Sequence, residues 1–438
     1  MVFYNLRMAL KSLKRNPVLT GLMIGGIGLG IGVSTTFVTG FYIFSMDPIP
    51  EKSDVLFYVE IDNWDPNRPW DDDDPSAAPT QVTYRDMVGL MKSEIPSFQG
   101  GSFKASLFIH PDPEIARPYK ALTRMCFADF FRLFEPPFAF GSGWDQNADE
   151  GLEQVVVLDH ETNQKLFGGE NSVGRTVRIE EREFEVVGVL KPWRPFPKYY
   201  DPHNGSFEKP EQIYMPFEFF QAMGFRTSGN TSNWSSFDWD DDEQYLASEA
   251  IWIQFWVQLD SKDQKEAYLS FLNSYTDGQR QLGRMQRPNN NKLFSVMEWL
   301  DDREAVPEEA TSLMIISLLF LIVCALNLIG ILLGKFLARA PEVSVRRALG
   351  ASRLSVFFQH IVECETVGII GGFLGIGLAV VGLQIVNSLF PGETFEFALD
   401  TNMLMAAILL SLVAGLIAGL YPAWRICSIP PASYLKEQ

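Results

Sequence analysis

The sequence predicts a membrane protein with four transmembrane α-helices and a large extracytoplasmic mixed α/β domain inserted between spans one and two. Three observations predict it: charge-free apolar runs, the placement of basic residues, and a long acidic, aromatic-rich stretch after the first run. The whole-chain charge of −18 and the mean hydropathy of +0.01 average over these unlike parts.

Residues 18–46, 311–334, 366–390 and 403–424 carry no charged side chain. About 20 apolar residues suffice to cross the hydrocarbon core as a helix. A charge at mid-span costs about 2.5–3.5 kcal/mol on insertion scales, so four such windows read as four spans. The first run is longer than a signal-peptide core and lacks a small-x-small cleavage site near its end, which makes it a retained span.

Basic residues give the orientation. Residues 1–17 hold Arg7, Lys11, Lys14 and Arg15 and no acid. The 335–362 loop holds Lys335, Arg339, Arg346, Arg347 and Arg353 against Glu342, whereas the 391–402 loop has Glu393, Glu396 and Asp400 and no base. The positive-inside rule then puts both termini, including the 425–438 tail, and the 335–362 loop in the cytoplasm, with 47–310 outside. Within 1–17, Phe3, Leu6, Leu10 and Leu13 share one helical face opposite the bases, as in an amphipathic helix lying on membrane lipid.

Small residues recur at four-residue spacing in Gly21/Gly25, Gly28/Gly32, Gly371/Gly375 and Gly415/Gly419, with Gly372 beside them. Such faces let helix backbones approach closely, within one chain or across a dimer. The glycine run at 21–32 has neither the GxGxxG spacing nor the terminal lysine of a phosphate loop.

The 47–310 insert holds 25 bases and 47 acids. That acidity repels phosphates and excludes a nucleic-acid-binding surface. Its apolar and aromatic content excludes disorder. Strand-like runs cover 55–60, 154–158, 176–179, 184–190 and 251–259, and helical patterns cover 84–92, 128–133 and 262–284. Residues 192–250, rich in Pro, Gly, Asn, Trp and Asp, read as an inserted subdomain. The acid clusters Asp71–Asp74 and Asp238/Asp240–Glu243 lack the alternating spacing of a calcium loop and read as solvated loops. His110, His160, His203 and His360 lie far apart with no metal-site spacing, and no nucleophile elbow occurs, so no enzyme site, cofactor or metal is expected. Cys126 is the one external cysteine and reads as a small buried residue.

Against this background Glu342-Val-Ser-Val-Arg-Arg-Ala-Leu-Gly-Ala-Ser352 closely resembles the E-[IV]-x-[IV]-R-x-A-x-G-A motif of MacB/FtsX-type ABC permeases. Gln359, Glu363, Gly371-Gly372 and Gly375 continue that resemblance, as do Tyr421-Pro-Ala-Trp-Arg425, Pro431-Ala432 and Leu435. Trp424-Arg425-Ile426 and Tyr434 depart from the small residues usual there. In the insert, Phe130-Phe131, Leu166-Phe167-Gly168 and Val186-Val187-Gly188-Val189 are similar to the family's periplasmic core domain.

The resemblance implies that 335–362 holds a coupling helix contacting an ATP-binding subunit through Glu342, Arg346, Arg347, Ala348, Leu349 and Gly350. Glu363 would support that loop by pairing with an arginine. With no phosphate-binding loop in the chain, ATP and Mg would be bound by a separate polypeptide. A second permease copy or paralogue, a periplasmic adaptor and an outer-membrane channel would complete the complex. Spans one and two would extend outward as stalks, the second through Glu298–Glu309 with a kink at Pro307. Two functions stay open: efflux of a drug, peptide or lipid-linked cargo by mechanotransmission, and non-transport signalling to a partner such as a cell-wall hydrolase.

Overall fold

The computed structural model describes residues 2–111, 117–389 and 397–428. The chain divides into a helical unit, Met1–Ser45 with Val306–Gln438, and an α/β unit, Met46–Ala305. The helical unit begins with α1 (Val2–Arg15) and α2 (Pro17–Ser45). The α/β unit follows with β1 (Leu56–Glu60), β2 (Val82–Thr83), α3 (Tyr84–Leu90), β3 (Phe98–His110), β4 (Tyr119–Cys126), α4 (Phe130–Phe134) and β5 (Phe138–Gly141). It continues through α5 (Gln146–Gly151), β6 (Val155–Leu158), α6 (His160–Phe167), β7 (Thr176–Ile179), β8 (Arg182–Leu190), β9 (Ile213–Pro216) and α7 (Phe219–Met223). Its last elements are α8 (Asp242–Ala247), β10 (Ile251–Gln258), α9 (Lys262–Gln281), β11 (Lys292–Ser295) and α10 (Val296–Asp302). The helical unit closes with α11 (Glu308–Leu337), α12 (Ala340–Ala348), α13 (Arg353–Leu389) and α14 (Thr401–Cys427).

Helices α2, α11, α13 and α14 are each long and apolar enough to cross a membrane. Their outward faces expose large apolar side chains such as Leu22, Leu326, Phe373 and Leu409, which suits lipid rather than water. Their inward faces meet through glycine. A Cβ on Gly28 would stand 3.0 Å from the Gly371 carbonyl oxygen, one on Gly32 2.7 Å from Leu378 Cβ, and one on Gly375 2.8 Å from Ile31. A Cβ on Gly372 would stand 2.6 Å from Ser411, one on Gly415 3.3 Å from Gly368 and one on Gly419 2.6 Å from Cys364, which joins α13 to α14. These glycines therefore serve intrachain packing, whereas Gly21 and Gly25 meet nothing within 4 Å.

In the α/β unit the strands form one sheet in the order β11-β1-β10-β3-β4-β9-β6-β8-β5, with β2 beside β10 and β7 bridging β3 and β8. Alternate side chains build a core on each face. Phe57 and Val59 join one apolar cluster with Phe103, Trp252 and Tyr268; Leu56 and Tyr58 join the other with Phe130, Trp256 and Trp299. Cys126 is fully buried in the second.

Three expectations need correction. Residues 192–250 form no inserted subdomain: they supply β9, which pairs parallel with β4 and antiparallel with β6 in mid-sheet. The apolar Ile213-Tyr214-Met215 run, fully buried, outweighs the turn-rich sequence around it. The Glu298–Glu309 stalk is not one kinked helix, since α10 stops at Asp302, Glu304 adopts φ +48° and α11 starts only after Pro307. A proline without an amide hydrogen begins that helix rather than bending it. Finally, 335–362 is mostly helical, because α11 runs to Leu337 and α13 already begins at Arg353, where the Ser352 hydroxyl accepts the Ser355 amide at 3.2 Å. Glu393, Glu396, Pro431, Ala432, Tyr434 and Leu435, and the end of the third span at residue 390, lie outside the described residues.

Candidate functional site

Helix α12 is short, and both its ends are fixed by local chemistry. Pro341 occupies the first turn, where its missing amide hydrogen costs nothing. At the other end Gly350 takes φ +105°, a value that L side chains rarely adopt. The Gly350 amide donates to the Arg347 carbonyl and the Ala351 amide to the Arg346 carbonyl, both at 3.1 Å, the hydrogen-bond pair of a Schellman stop.

Each expected coupling residue has a distinct place. Arg346 donates to Gln359 Oε1 at 2.9 Å and Arg347 to the Cys427 carbonyl at 3.0 Å. The two arginines thus tie α12 to α13 and α14, and neither stands free as a docking charge. Glu342 is exposed, 3.8 Å from Arg15 on α1, and such a solvated pair adds little stability. Ala348, Leu349 and Gly350 are exposed, Leu349 at 82%, while Val343 and Ser344 are buried. Val345, 47% exposed, joins Leu349 in an apolar knob on the outer side of α12. Charge drew the eye to the arginines; the four-residue spacing of Val345 and Leu349 is the signal that marks the knob.

Behind α12 lies a buried charge cluster centred on Glu363 of α13. Its Oε1 is 2.6 Å from Lys335 Nζ on α11 and 3.6 Å from Arg339 Nη1, just before α12. The Ser12 hydroxyl of α1 donates to the same carboxylate and accepts from the Arg339 guanidinium, which also reaches the Ser12 carbonyl at 3.4 Å. The Glu363 and Lys335 side chains are both almost wholly buried. A salt bridge so placed contributes specificity of assembly more than stability, and removing one partner leaves a lone buried charge. The expected arginine pairing is present in Arg339, but lysine is the nearer partner. The His360 ring packs edge-on against Phe336 at 4.5 Å and its Nδ1 donates to the Val356 carbonyl at 2.8 Å, which closes the cluster on one side. One carboxylate thus joins α1, α11, the α12 approach and α13. Ser12, Lys335 and Arg339 are reached only through the fold.

The α/β unit holds a second buried cluster that the sequence did not reveal. Arg124 of β4 pairs with Asp201 and Glu211 and donates to Gln254 Oε1 at 3.2 Å. Lys198 Nζ lies 3.3 Å from Glu211, and the Tyr200 hydroxyl donates to Glu211 Oε2 at 2.8 Å. Burial pushes Glu211 up, but Arg124 and Lys198 beside it overcome that and hold its carboxyl well below the usual range. This cluster pins residues 198–211 to the sheet. The acid clusters have local partners: Asp71 and Asp74 accept backbone amides in their own turns, Asp241 caps α8 and Asp242 pairs with Arg226.

Comparison with known proteins places these features. Residues 20–270 match the model of the MacB-like periplasmic core domain, and residues 314–431 that of the FtsX-like permease C-terminal domain. The macrolide export ATP-binding/permease protein MacB of Escherichia coli is 23% identical over 442 residues, covering 99% of this chain and 60% of that protein. The pyoverdine export ATP-binding/permease protein of Pseudomonas aeruginosa is 25% identical over 312 residues, covering 71% of this chain and 41% of that protein. The chain therefore spans 41% and 60% of the length of these two relatives. The crystallised periplasmic region of MacB from Actinobacillus actinomycetemcomitans aligns over 60% of this chain and 98% of its own, at 13% identity and a TM-score of 0.38.

Proposed function

This chain belongs to the MacB/FtsX family of ABC transporter permeases, and from that premise we propose that it couples ATP hydrolysis by a separate cytoplasmic ATP-binding subunit to motion of its extracytoplasmic domain. Its cargo would be a drug, peptide or lipid-linked molecule driven outward by mechanotransmission. The macrolide and pyoverdine export named for its relatives supports efflux over signalling. Two copies of the permease, or one copy and a paralogue, would give the ATP-binding subunits two docking places, with an adaptor and an outer-membrane channel beyond. The reading sets the protein in a bacterial inner membrane with α1, α12 and both termini on the cytoplasmic side.

The observation that carries this reading is the exposed Val345/Leu349 knob on a helix fixed at both ends. A large exposed apolar residue on a braced helix suits a groove on a partner, where a few buried side chains dominate binding. Glu342, Ala348 and Gly350 would ring the contact, and Arg346 and Arg347 would hold its geometry from inside. ATP and Mg would be bound by the partner alone. Leu349→Asp should cut co-purification of a phosphate-loop ATPase by about tenfold or more, the range for losing a buried apolar anchor. Undiminished recovery with that variant would refute the docking assignment.

A further inference from the structure

Beside α12 the helical unit holds a groove of about 590 Å³, within the about 300–1,000 Å³ typical of small-molecule sites. It runs between the α1–α2 elbow, at Arg15 and Leu19, and the last turns of α11. Farther along, α2 and α11 touch: a Cβ on Gly30 would stand 3.0 Å from Cys324 Cβ, and the Ser34 hydroxyl donates to the Ser317 carbonyl at 2.7 Å. In the groove the α11 backbone is bare, since nothing comes within 4 Å of a Cβ placed on Gly330 or Gly334. Gly330 precedes the end of α11 by two helical turns, roughly 10 Å along its axis. That depth puts the floor beside hydrocarbon, beyond the reach of a soluble partner.

The mouth is charged. Arg15, Lys335 and Arg339 line it against the single acid Glu342. Lys335 Nζ is buried against Glu363 at 2.6 Å, so in the groove it contributes its stem while Arg15 and Arg339 supply the basic rim. Basic recesses between membrane helices suit anionic headgroups.

We propose that this groove is a phospholipid site, taking the phosphate of an anionic headgroup on Arg15 and Arg339 and one acyl chain along Gly330 and Gly334. A free phosphate shares the charge chemistry but has nothing to lay on the bare backbone. The site does not depend on efflux, and its two basic contacts, Arg15 and Arg339, lie outside α12.

Native mass spectrometry of the full chain, delipidated in detergent and titrated with phosphatidylglycerol, tests it. One lipid per chain should bind, and equimolar inorganic phosphate should not compete. Arg15→Gln removes a largely exposed side chain and Gly334→Leu projects into open space, so both variants should melt like the parent. Arg15→Gln should weaken lipid binding about fivefold, the effect of one basic contact near a membrane surface, and Gly334→Leu should weaken it by filling the bed of the acyl chain. Equal binding by both variants and the parent would overturn the site. Full competition by phosphate would make it a free-anion site, and displacement of the lipid by the ATP-binding subunit would make it a protein dock; either result overturns the proposal.

Discussion

Both units bury a salt-bridge cluster, and the two clusters are built differently. Around Arg124 the charges balance, two cations against two carboxylates, and Arg124 and Gln254 project from strands of one sheet. Around Glu363 a single carboxylate faces Lys335 of α11 and Arg339 of the turn before α12. A balanced cluster in a hydrogen-bonded sheet has one low-energy arrangement and acts as a staple. An unbalanced one, with a cation in excess and Arg339 partly open to solvent, is better suited to a joint than to a staple. The difference teaches that burial alone does not assign a role to an ion pair; its stoichiometry and the stiffness of its supports do.

The largest expected effect breaks the staple. Arg124→Leu leaves Lys198 as the one cation of the cluster, paired with Glu211, and should cost about 3–5 kcal/mol of stability, the range for orphaning a buried charge such as Asp201. Urea unfolding of the intact chain, followed by tryptophan fluorescence, measures it; a loss below about 1 kcal/mol would remove the contrast with Glu363. Next comes Glu60, a buried acid of the same unit with no balanced partner. Burial pushes its carboxyl up to about 7, and Lys292 at 3.6 Å only partly offsets this. In the unfolded chain the group titrates near 4.5, so between these values the folded state binds a proton that the unfolded state has released. Its contribution is full below pH 4.5 and is lost as pH rises through 7, by about 3 kcal/mol. Glu60→Gln should flatten that slope in unfolding measured across pH 4.5 to 8, and an unchanged slope would show that another group carries it. The smallest effect on stability belongs to the joint. Glu363→Gln removes the charge but keeps an amide oxygen that accepts from both Ser12 and Lys335, so Lys335 is not left without a partner, and the change should cost about 1–3 kcal/mol. It should nonetheless lower ATP-driven transport while the ATP-binding subunit still co-purifies. Loss of co-purification together with transport would make Glu363 part of the docking surface instead.

Legibility in the sequence followed the range of the interactions. The spans could be read because charge in a bilayer is penalised residue by residue. Strand β1 and helix α9 could be read from short-range pattern. Strand β9 could not: four residues in a turn-rich stretch become a strand only because β4 and β6 flank them, and both lie far away in sequence. Strand β3 was hidden by Gly100, Gly101 and Ser102; of these, Gly101 is crowded by Met87 and Ile253. At α12 the basic pattern and Gly350 marked the element, but not which of its side chains stand exposed. Sequence displays the charges of Arg346 and Arg347, while Gln359 and the Cys427 carbonyl, which answer them, come from other helices. The Arg124 cluster draws on positions 124, 198, 201, 211 and 254, and no local window contains it.

The glycine contact between α2 and α13 also bears on how the protein is made. Gly28 and Gly32 find their partners on α13, at Gly371, Leu374, Gly375 and Leu378, which a ribosome reaches after the whole extracytoplasmic domain. Until then α2 sits in the bilayer with its narrow face against lipid, held by 29 residues without a charge. Association inside lipid gains nothing from the hydrophobic effect and relies on close backbone contact. Insertion and assembly are thus separate events: apolar length commits the first span early, and glycine completes the bundle late.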